Sequence, residues 1–194
     1  MKLLLVATLA TSAAAFAPSA FSTRQSTSCN ANLQETIAAL QGSEIYWGSE
    51  GIAAGFEEAD IKGYEKFGLF AEALTANGVD ITTGEYTVLA PSDGAIEKHI
   101  KEVGTPIDAD ILKYHIIPGT KTLDGLTSDQ ETLNGKTLTA YRKFRKNWLD
   151  NAVIGLKSEG ASKSGNMPAD VAADNGMIHG VDSVLVPGAY TGSR

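Results

Sequence analysis

The sequence predicts an α+β domain. Helix-forming segments cluster in its first half, short β-rich segments bounded by turn residues fill its second, and no internal repeat divides the two. A chain of 194 residues has room for one ordinary domain and a leader. A domain of that size buries about two thirds of its unfolded surface, enough to stand without a disulfide or a structural metal. Cysteine usage agrees: Cys29 is the single cysteine, so an intrachain disulfide and a Cys/His zinc cluster are both excluded.

The first 15 residues read as a signal peptide. Lys2 gives a positive start, Leu3 to Ala10 form an apolar run too short for a stable membrane anchor, and Ala13-Ala14-Ala15 supplies small residues for cleavage. The following junction, "AAAFAPSAF", resembles the two-part plastid-targeting leader of algae with red-lineage plastids, in which a phenylalanine follows the first cut. Phe16 stands there. Residues 16–31 are accordingly expected as a transit-peptide-like leader: they are rich in Ser and Thr, carry Arg24, and no acid occurs before Glu35. The plainer alternative is a secreted protein. Removal near Cys29 takes away Lys2 and Arg24, making the formal charge of -7 more negative by two.

Along the mature chain, Asn32 to Gln41 carries Leu33, Ile37 and Leu40 at helical spacing, with Gly42 as the stop. Residues 43–55 contain "IYWGSEGIAAG" and are too glycine-rich to predict either a helix or a strand. Tyr46 and Trp47 within them are candidate partner anchors, set against a segment that folds back over its own domain. Tyr64 to Ala76 predicts a helix with Phe67, Phe70, Ala71 and Leu74 on one face and Asn77-Gly78 at its end. Glu57, Glu58 and Asp60 then lie at that helix's entrance, where its dipole favours them. Tyr86 to Ala90 reads as a strand ended by Pro91, and Ser92 or Asp93 caps a helix from Gly94 to Glu102.

Pro106-Ile107-Asp108 opens a short helix that turns Ile111, Leu112 and His115 inward, and Pro118-Gly119 turns the chain. Thr127 and Gln130 have capping-box spacing. Asn134-Gly135 predicts a hairpin turn between Thr132-Leu133 and Lys136 to Tyr141. Val153 to Leu156 is expected as a short strand, Lys157 to Pro168 as a polar surface loop, and Met177 to Val186 as the closing strands.

Two blocks carry more information than the rest. The first is "YTVLAPSDGAI" (Tyr86 to Ile96) with "ILKYHIIPG" (Ile111 to Gly119); the second is "ADVAADNGMIHGVDSVLVPG" (Ala169 to Gly188). In this order and spacing they resemble the fasciclin domain, over Glu57 to Gly188. The resemblance implies a compact β-sandwich with a wedge of short helices, leaving 32–56 as an N-terminal extension and 189–194 as a tail. It also implies adhesion or protein–protein contact rather than catalysis. It places Tyr114 and His115 at the family's tyrosine–histidine pair, which some adhesion members tie to receptor binding. Asn175, Gly176 and His179 fall in its Asn-Gly-x-Ile-His element. Helical spacing with Ile111 and Leu112 favours burial of the first pair, so these motif residues are expected to be structural. Leu89 replaces the family's phenylalanine and Gly180 its aliphatic residue, which should loosen the core slightly.

Catalysis is not expected. The three histidines, His99, His115 and His179, lack the short spacing of metal ligands, and there is neither a phosphate loop nor a nucleophile elbow. No metal or cofactor follows. The negative charge opposes nucleic-acid binding. One segment departs from that background: "YRKFRKNW", Tyr141 to Trp148, sets Arg142, Lys143, Arg145 and Lys146 among aromatics that include Trp148. It is a candidate contact for an acidic protein face or an anionic lipid headgroup, against the plainer reading of a strand edge protected by charge. Past the leader no apolar run is long enough for a transmembrane helix. The expectation is a protein-binding module, an accessory or peripheral subunit of a plastid, thylakoid-associated complex on its stromal side. A secreted or cell-surface adhesion protein is the alternative, and a small-ligand-binding domain the third.

Overall fold

A computed structural model describes residues 31–143, 145–155 and 167–190. The signal and transit segments expected over 1–31 therefore fall almost wholly outside the described residues, as does most of the polar loop expected over 157–168. Helix α1 (Leu33–Ala39) starts where Asn32, in extended conformation, accepts the Glu35 N–H on its side chain. It ends at Leu40 and runs straight into strand β1 (Gln41–Tyr46). Gly42 is thus a strand residue rather than a helix stop. A Cβ there would lie 2.8 Å from Glu65 Cβ, so glycine permits close crossing of the opposite strand.

Residues 43–55, expected to be irregular, hold most of β1 and all of helix α2 (Ser49–Ala54). β1 pairs antiparallel with β2 (Ile61–Lys66), bringing Glu44 opposite Tyr64 and Ile45 opposite Gly63. The helix expected from Tyr64 starts only at Gly68, as α3 (Gly68–Ala76), because Tyr64 to Lys66 are taken by β2. Its Phe67, Phe70, Ala71 and Leu74 are buried as the spacing predicts. Glu57, Glu58 and Asp60 lie before β2 and not at a helix entrance. Asp60 accepts the Glu57 N–H and closes a turn there. The acceptor for the start of α3 comes from Asp93, whose Oδ1 takes the Leu69 N–H at 2.9 Å.

Strand β3 (Tyr86–Pro91) leads to helix α4 (Asp93–Val103), capped by the Ser92 hydroxyl and closed by left-handed Gly104. Asp108 caps α5 (Ala109–Tyr114), and β4 (Ile116–Pro118) follows. A 3-10 turn covers Leu123–Leu126. The Thr127–Gln130 capping box does not form, since Gln130 opens strand β5 (Gln130–Glu131) and its amide donates to the Ser128 carbonyl. The Asn134-Gly135 turn leads to β6 (Thr137–Leu138), and then β7 (Ala140–Lys143), β8 (Lys146–Leu149) and β9 (Ala152–Val153) form a meander. The chain closes with β10 (Val171–Ala173) and β11 (Gly176–Val181).

The central sheet has the order β10-β11-β3-β4, with β11 parallel to β3 and the other pairs antiparallel. Val88, Ala90, Ile116 and Ile178 turn to one face, where Leu33, Ile37, Phe70, Leu74 and Leu112 of the helices complete a core. Leu89, Ile117 and Val181 turn to the other, against Leu126, Leu138, Leu149 and Ile154. The result is an α+β sandwich: helices cover one side and the small sheets of β5 to β9 the other. β3 is buried from Thr87 to Pro91, which explains its near-continuous apolar run.

Two further glycines, both in β11, are set by close approach. At Gly176 a Cβ would fall 1.9 Å from the Tyr86 carbonyl oxygen. At Gly180 it would fall 2.9 Å from Pro168 and 3.1 Å from Phe67. The space of the expected aliphatic side chain is filled by these neighbours, so Gly180 does not loosen the core. Met167, expected in a surface loop, is buried in the same cluster.

Gly176→Ala is expected to cost about 3 kcal/mol or more in urea unfolding, because backbone must move in the central sheet. Gly188→Ala serves as the reference. Gly188 has φ of 82° and open space around its Cβ, so only left-handed strain of about 1–2 kcal/mol is expected there.

Candidate functional site

The two motif histidines are joined to the interior by both ring nitrogens. His115 Nδ1 lies 2.9 Å from the Ile111 carbonyl and so donates to it, while Nε2 accepts the Leu185 N–H at 3.0 Å. His179 has the opposite tautomer: Nε2 donates to the Lys121 carbonyl at 3.0 Å, and Nδ1 accepts the Asp170 N–H at 3.3 Å. Both rings are fully buried. Burial pushes the His115 imidazolium down to about 4, only partly offset by the Ile111 carbonyl. Burial likewise lowers His179, against the raising influence of Lys121 and Asp170. These are neutral cross-links without a free nitrogen.

Tyr114 completes the pair differently. Its hydroxyl donates to Asp150 Oδ2 at 2.5 Å, and burial followed by this carboxylate raises its pKa beyond the ordinary phenol range. Asp150 is 4% exposed and sits at φ 48°; its Oδ1 accepts the Thr139 N–H and its carbonyl accepts the Tyr141 hydroxyl. Asp150 therefore ties α5 to the β6–β7 connection through its carboxylate and holds β7 through its backbone carbonyl. Nothing in the sequence marks Asp150, because its partners come from remote segments. Asn175 works similarly: its Oδ1 accepts the Leu33 N–H and its amide donates to Ile81 and Gly84. His99 differs from the other histidines, having a buried Nε2 without a partner beside a cavity of about 120 Å³ that Asp182 and Ser183 also line.

The basic candidates are brought together on the β7–β8 hairpin. Tyr141 pairs with Trp148, Arg142 with Asn147 and Lys143 with Lys146, while Arg145 (φ 61°) lies in the turn. Arg142, Lys143 and Arg145 are exposed and Lys146 is half-buried. Phe144 is outside the described residues. The rings of Trp148, Tyr141 and Tyr190 form a near-parallel row, with centroid separations of 5.9 and 5.7 Å. Tyr190, from the far end of the chain, was invisible to any local pattern. The Trp148 indole donates to the Lys143 carbonyl and braces the hairpin end.

Tyr46 and Trp47 lie on the other hairpin, remote in sequence from this one. Tyr46 is half-buried and donates to Glu44. The Trp47 ring is stacked on Phe56 at 4.7 Å on one side and has Lys62 Nζ 4.9 Å from its centroid, so it is already engaged within its own hairpin. Among the described residues no His, Cys, Asp and Glu group has the geometry to hold a metal, and no helix is long and apolar enough to cross a membrane. An open cleft of about 260 Å³ is lined by Gln34, Leu74, Val79 and Asp80, smaller than the usual small-molecule site.

The tautomers give a pH prediction. The folded-state pKa of His115 lies below the unfolded value of 6.5, so the unfolded chain binds protons that the native state refuses. Stability is complete above pH 6.5 and declines as pH falls toward 4, by on the order of 3 kcal/mol for this group. Carbon-13 spectra should show no His115 titration between about pH 8 and pH 5. A transition centred at the ordinary histidine value would contradict the assignment.

Comparison with known proteins identifies the family. The family model described as "Fasciclin domain" matches residues 65–187. Stabilin-2 of Rattus norvegicus is 30% identical over 101 residues, covering 52% of this chain and 7% of that protein. Protein sll1483 of Synechocystis sp. (strain ATCC 27184 / PCC 6803 / Kazusa) is 30% identical over 125 residues, covering 60% of this chain and 59% of that protein. The match thus spans less than two thirds of either relative. Among solved structures, the FAS1 domain pair of the insect cell adhesion molecule Fasciclin I aligns at 24% identity with a TM-score of 0.42. It covers 60% of this chain and 43% of that one. With well over half of its length matched by the family model, the chain belongs to the fasciclin domain family.

Proposed function

We propose that the chain is a non-enzymatic protein-binding module that docks on an acidic face of a larger assembly through the β7–β8 hairpin. The observation that carries this reading is the concentration of Arg142, Lys143, Arg145 and Lys146 on one surface hairpin of a chain with net charge -7. Such a local field steers an acidic partner despite the overall repulsion, since charges beyond about 8 Å are screened at physiological salt. The ring row behind it is braced through Asp150 and supplies a firm base, so little ordering is required on contact. An anionic lipid headgroup is the secondary partner for the same charges.

The leader directs this activity to a plastid, where the chain serves as an accessory or peripheral subunit of a thylakoid-associated complex. Support for this address is sequence-based: Phe16 after Ala13-Ala14-Ala15, then a Ser/Thr-rich stretch free of acids. A second reading, export and adhesion at the cell surface, is favoured by the first 15 residues taken alone, which suffice as a secretory signal.

A full-length fusion with a C-terminal fluorescent tag should enter the plastid of a red-lineage alga, and Phe16→Asp should abolish entry. Fluorescence in the medium or at the cell surface from both fusions would favour adhesion. Co-purification with a plastid complex should fall about tenfold in the R142Q/K143Q/R145Q/K146Q variant, with thermal stability kept. Unchanged co-purification would remove this hairpin as the contact.

A further inference from the structure

The β1–β2 hairpin is an excursion between two helices that already touch. α1 and α3 are joined directly, with the Gln34 amide donating to the Ala71 carbonyl at 2.6 Å and to Thr75 Oγ1 at 3.0 Å. Between them the chain leaves at Gln41 and returns at Lys66, almost entirely outside the matched region 65–187. The hairpin holds its own shape. Trp47 N–H donates to Asp60, Gly48 N–H to Glu58 and Phe56 N–H to Gly51, and the Trp47–Phe56 stack closes over α2. A Cβ at Gly51 would lie 2.5 Å from Trp47 Cβ, so the fit of helix to indole requires that glycine.

Its outer surface is unusual. Of the eight large hydrophobic residues exposed among the described residues, five lie here: Ile52, Phe56, Ile61 and Tyr64, with Ile45 on the face of the ladder opposite Tyr64. Scattered exposed apolar groups are ordinary, but such a concentration within twenty residues marks an interaction surface. Its rim is acidic, with Glu50, Glu57, Glu58 and Asp60 exposed and Glu44 half-buried. Against these stand Lys66 at the base of the hairpin and Lys62, which is already drawn to Glu50 at 3.8 Å and to the Trp47 face.

We propose that this hairpin is a second docking surface, for a basic polypeptide segment of a partner protein that carries large apolar side chains. The apolar centre supplies burial and the carboxylate rim selects lysine and arginine flanks. An anionic membrane is disfavoured by the same rim. This surface is chemically opposite to the β7–β8 hairpin, and its partner is independent of the acidic one proposed for that hairpin.

The test uses the full chain and a short fluorescein-labelled peptide of alternating lysine and leucine, with glutamate–leucine and lysine–serine peptides as controls. Amide shifts should move in 44–64 only for the lysine–leucine peptide. Its dissociation constant should rise about tenfold in I52S/I61S/Y64S and again in E50Q/E57Q/E58Q, both of which leave 140–149 intact. E85Q/E97Q/E102Q, with the same charge change elsewhere, should bind as the parent does. Shifts mapping outside 44–64, equal loss in the control variant, or binding of the glutamate–leucine peptide would each overturn the proposal. So would self-association abolished by I52S/I61S/Y64S, because the occupant would then be a second copy of this chain.

Discussion

Everything in this fold depends on one pairing, the parallel ladder in which Gly176 to Val181 of β11 lie alongside Tyr86 to Pro91 of β3. The two strands are far apart in sequence, so the ladder closes a long loop whose entropy must be offset by burial on both sheet faces. Close approach is built in at its first step, where Gly176 lets the backbone meet the Tyr86 carbonyl. Asn175 just before it fixes the start of α1 and the 81–84 loop, and His179 within it fixes the segment after β4. His115 then holds Leu185 beyond its end. His115 and His179 are buried with their bonds made and Asn175 is half-buried with its own made, so losing a histidine's partner would strand a donor or acceptor in the interior.

A consequence is that the most recognisable residues of the chain are committed to its interior. Tyr114, His115, Asn175, Gly176 and His179 are spent on joining elements, and the pKa directions of Tyr114, His115 and His179 all favour the neutral form. The proposed partner contacts lie instead on two hairpins that extend from the sandwich. One is basic and aromatic, braced from beneath by Asp150 and Tyr190; the other is acidic and apolar, closed on its own Trp47–Phe56 stack.

How much of this was legible depended on whether the cause was local. Asn32, Ser92 and Asp108 act as caps within three residues of the N–H they accept, and the sequence displays them plainly. The buried face of α3 and the strand at Tyr86 follow from periodicity. The β1–β2 hairpin did not, because its glycines and register shifts erase alternation, and Gly42 is there to admit Glu65 across the ladder. Helix α3 lost its first turn for a tertiary reason, since Tyr64 to Lys66 pair with β1 and the acceptor for the Leu69 N–H comes from Asp93. Thr127 and Gln130 offered a capping pattern that strand β5 overrode. At the surface, the four cations of the basic hairpin were readable from composition, whereas Asp150 and Tyr190 belong to it only through folding.

The stapled core should open last, with the outer ends of the two hairpins that it carries opening before it. Native-state amide hydrogen exchange tests this order most directly. Amides of Val88, Leu89, Ile178 and His179 should exchange only through global unfolding, sharing one opening free energy equal to that from denaturation. Amides of Glu44 to Tyr46 and Arg142 to Trp148 should open at lower free energy, with little dependence on denaturant. Hairpin amides that share the opening free energy of β3 and β11 would contradict the account, as they would make the hairpins part of the same cooperative unit.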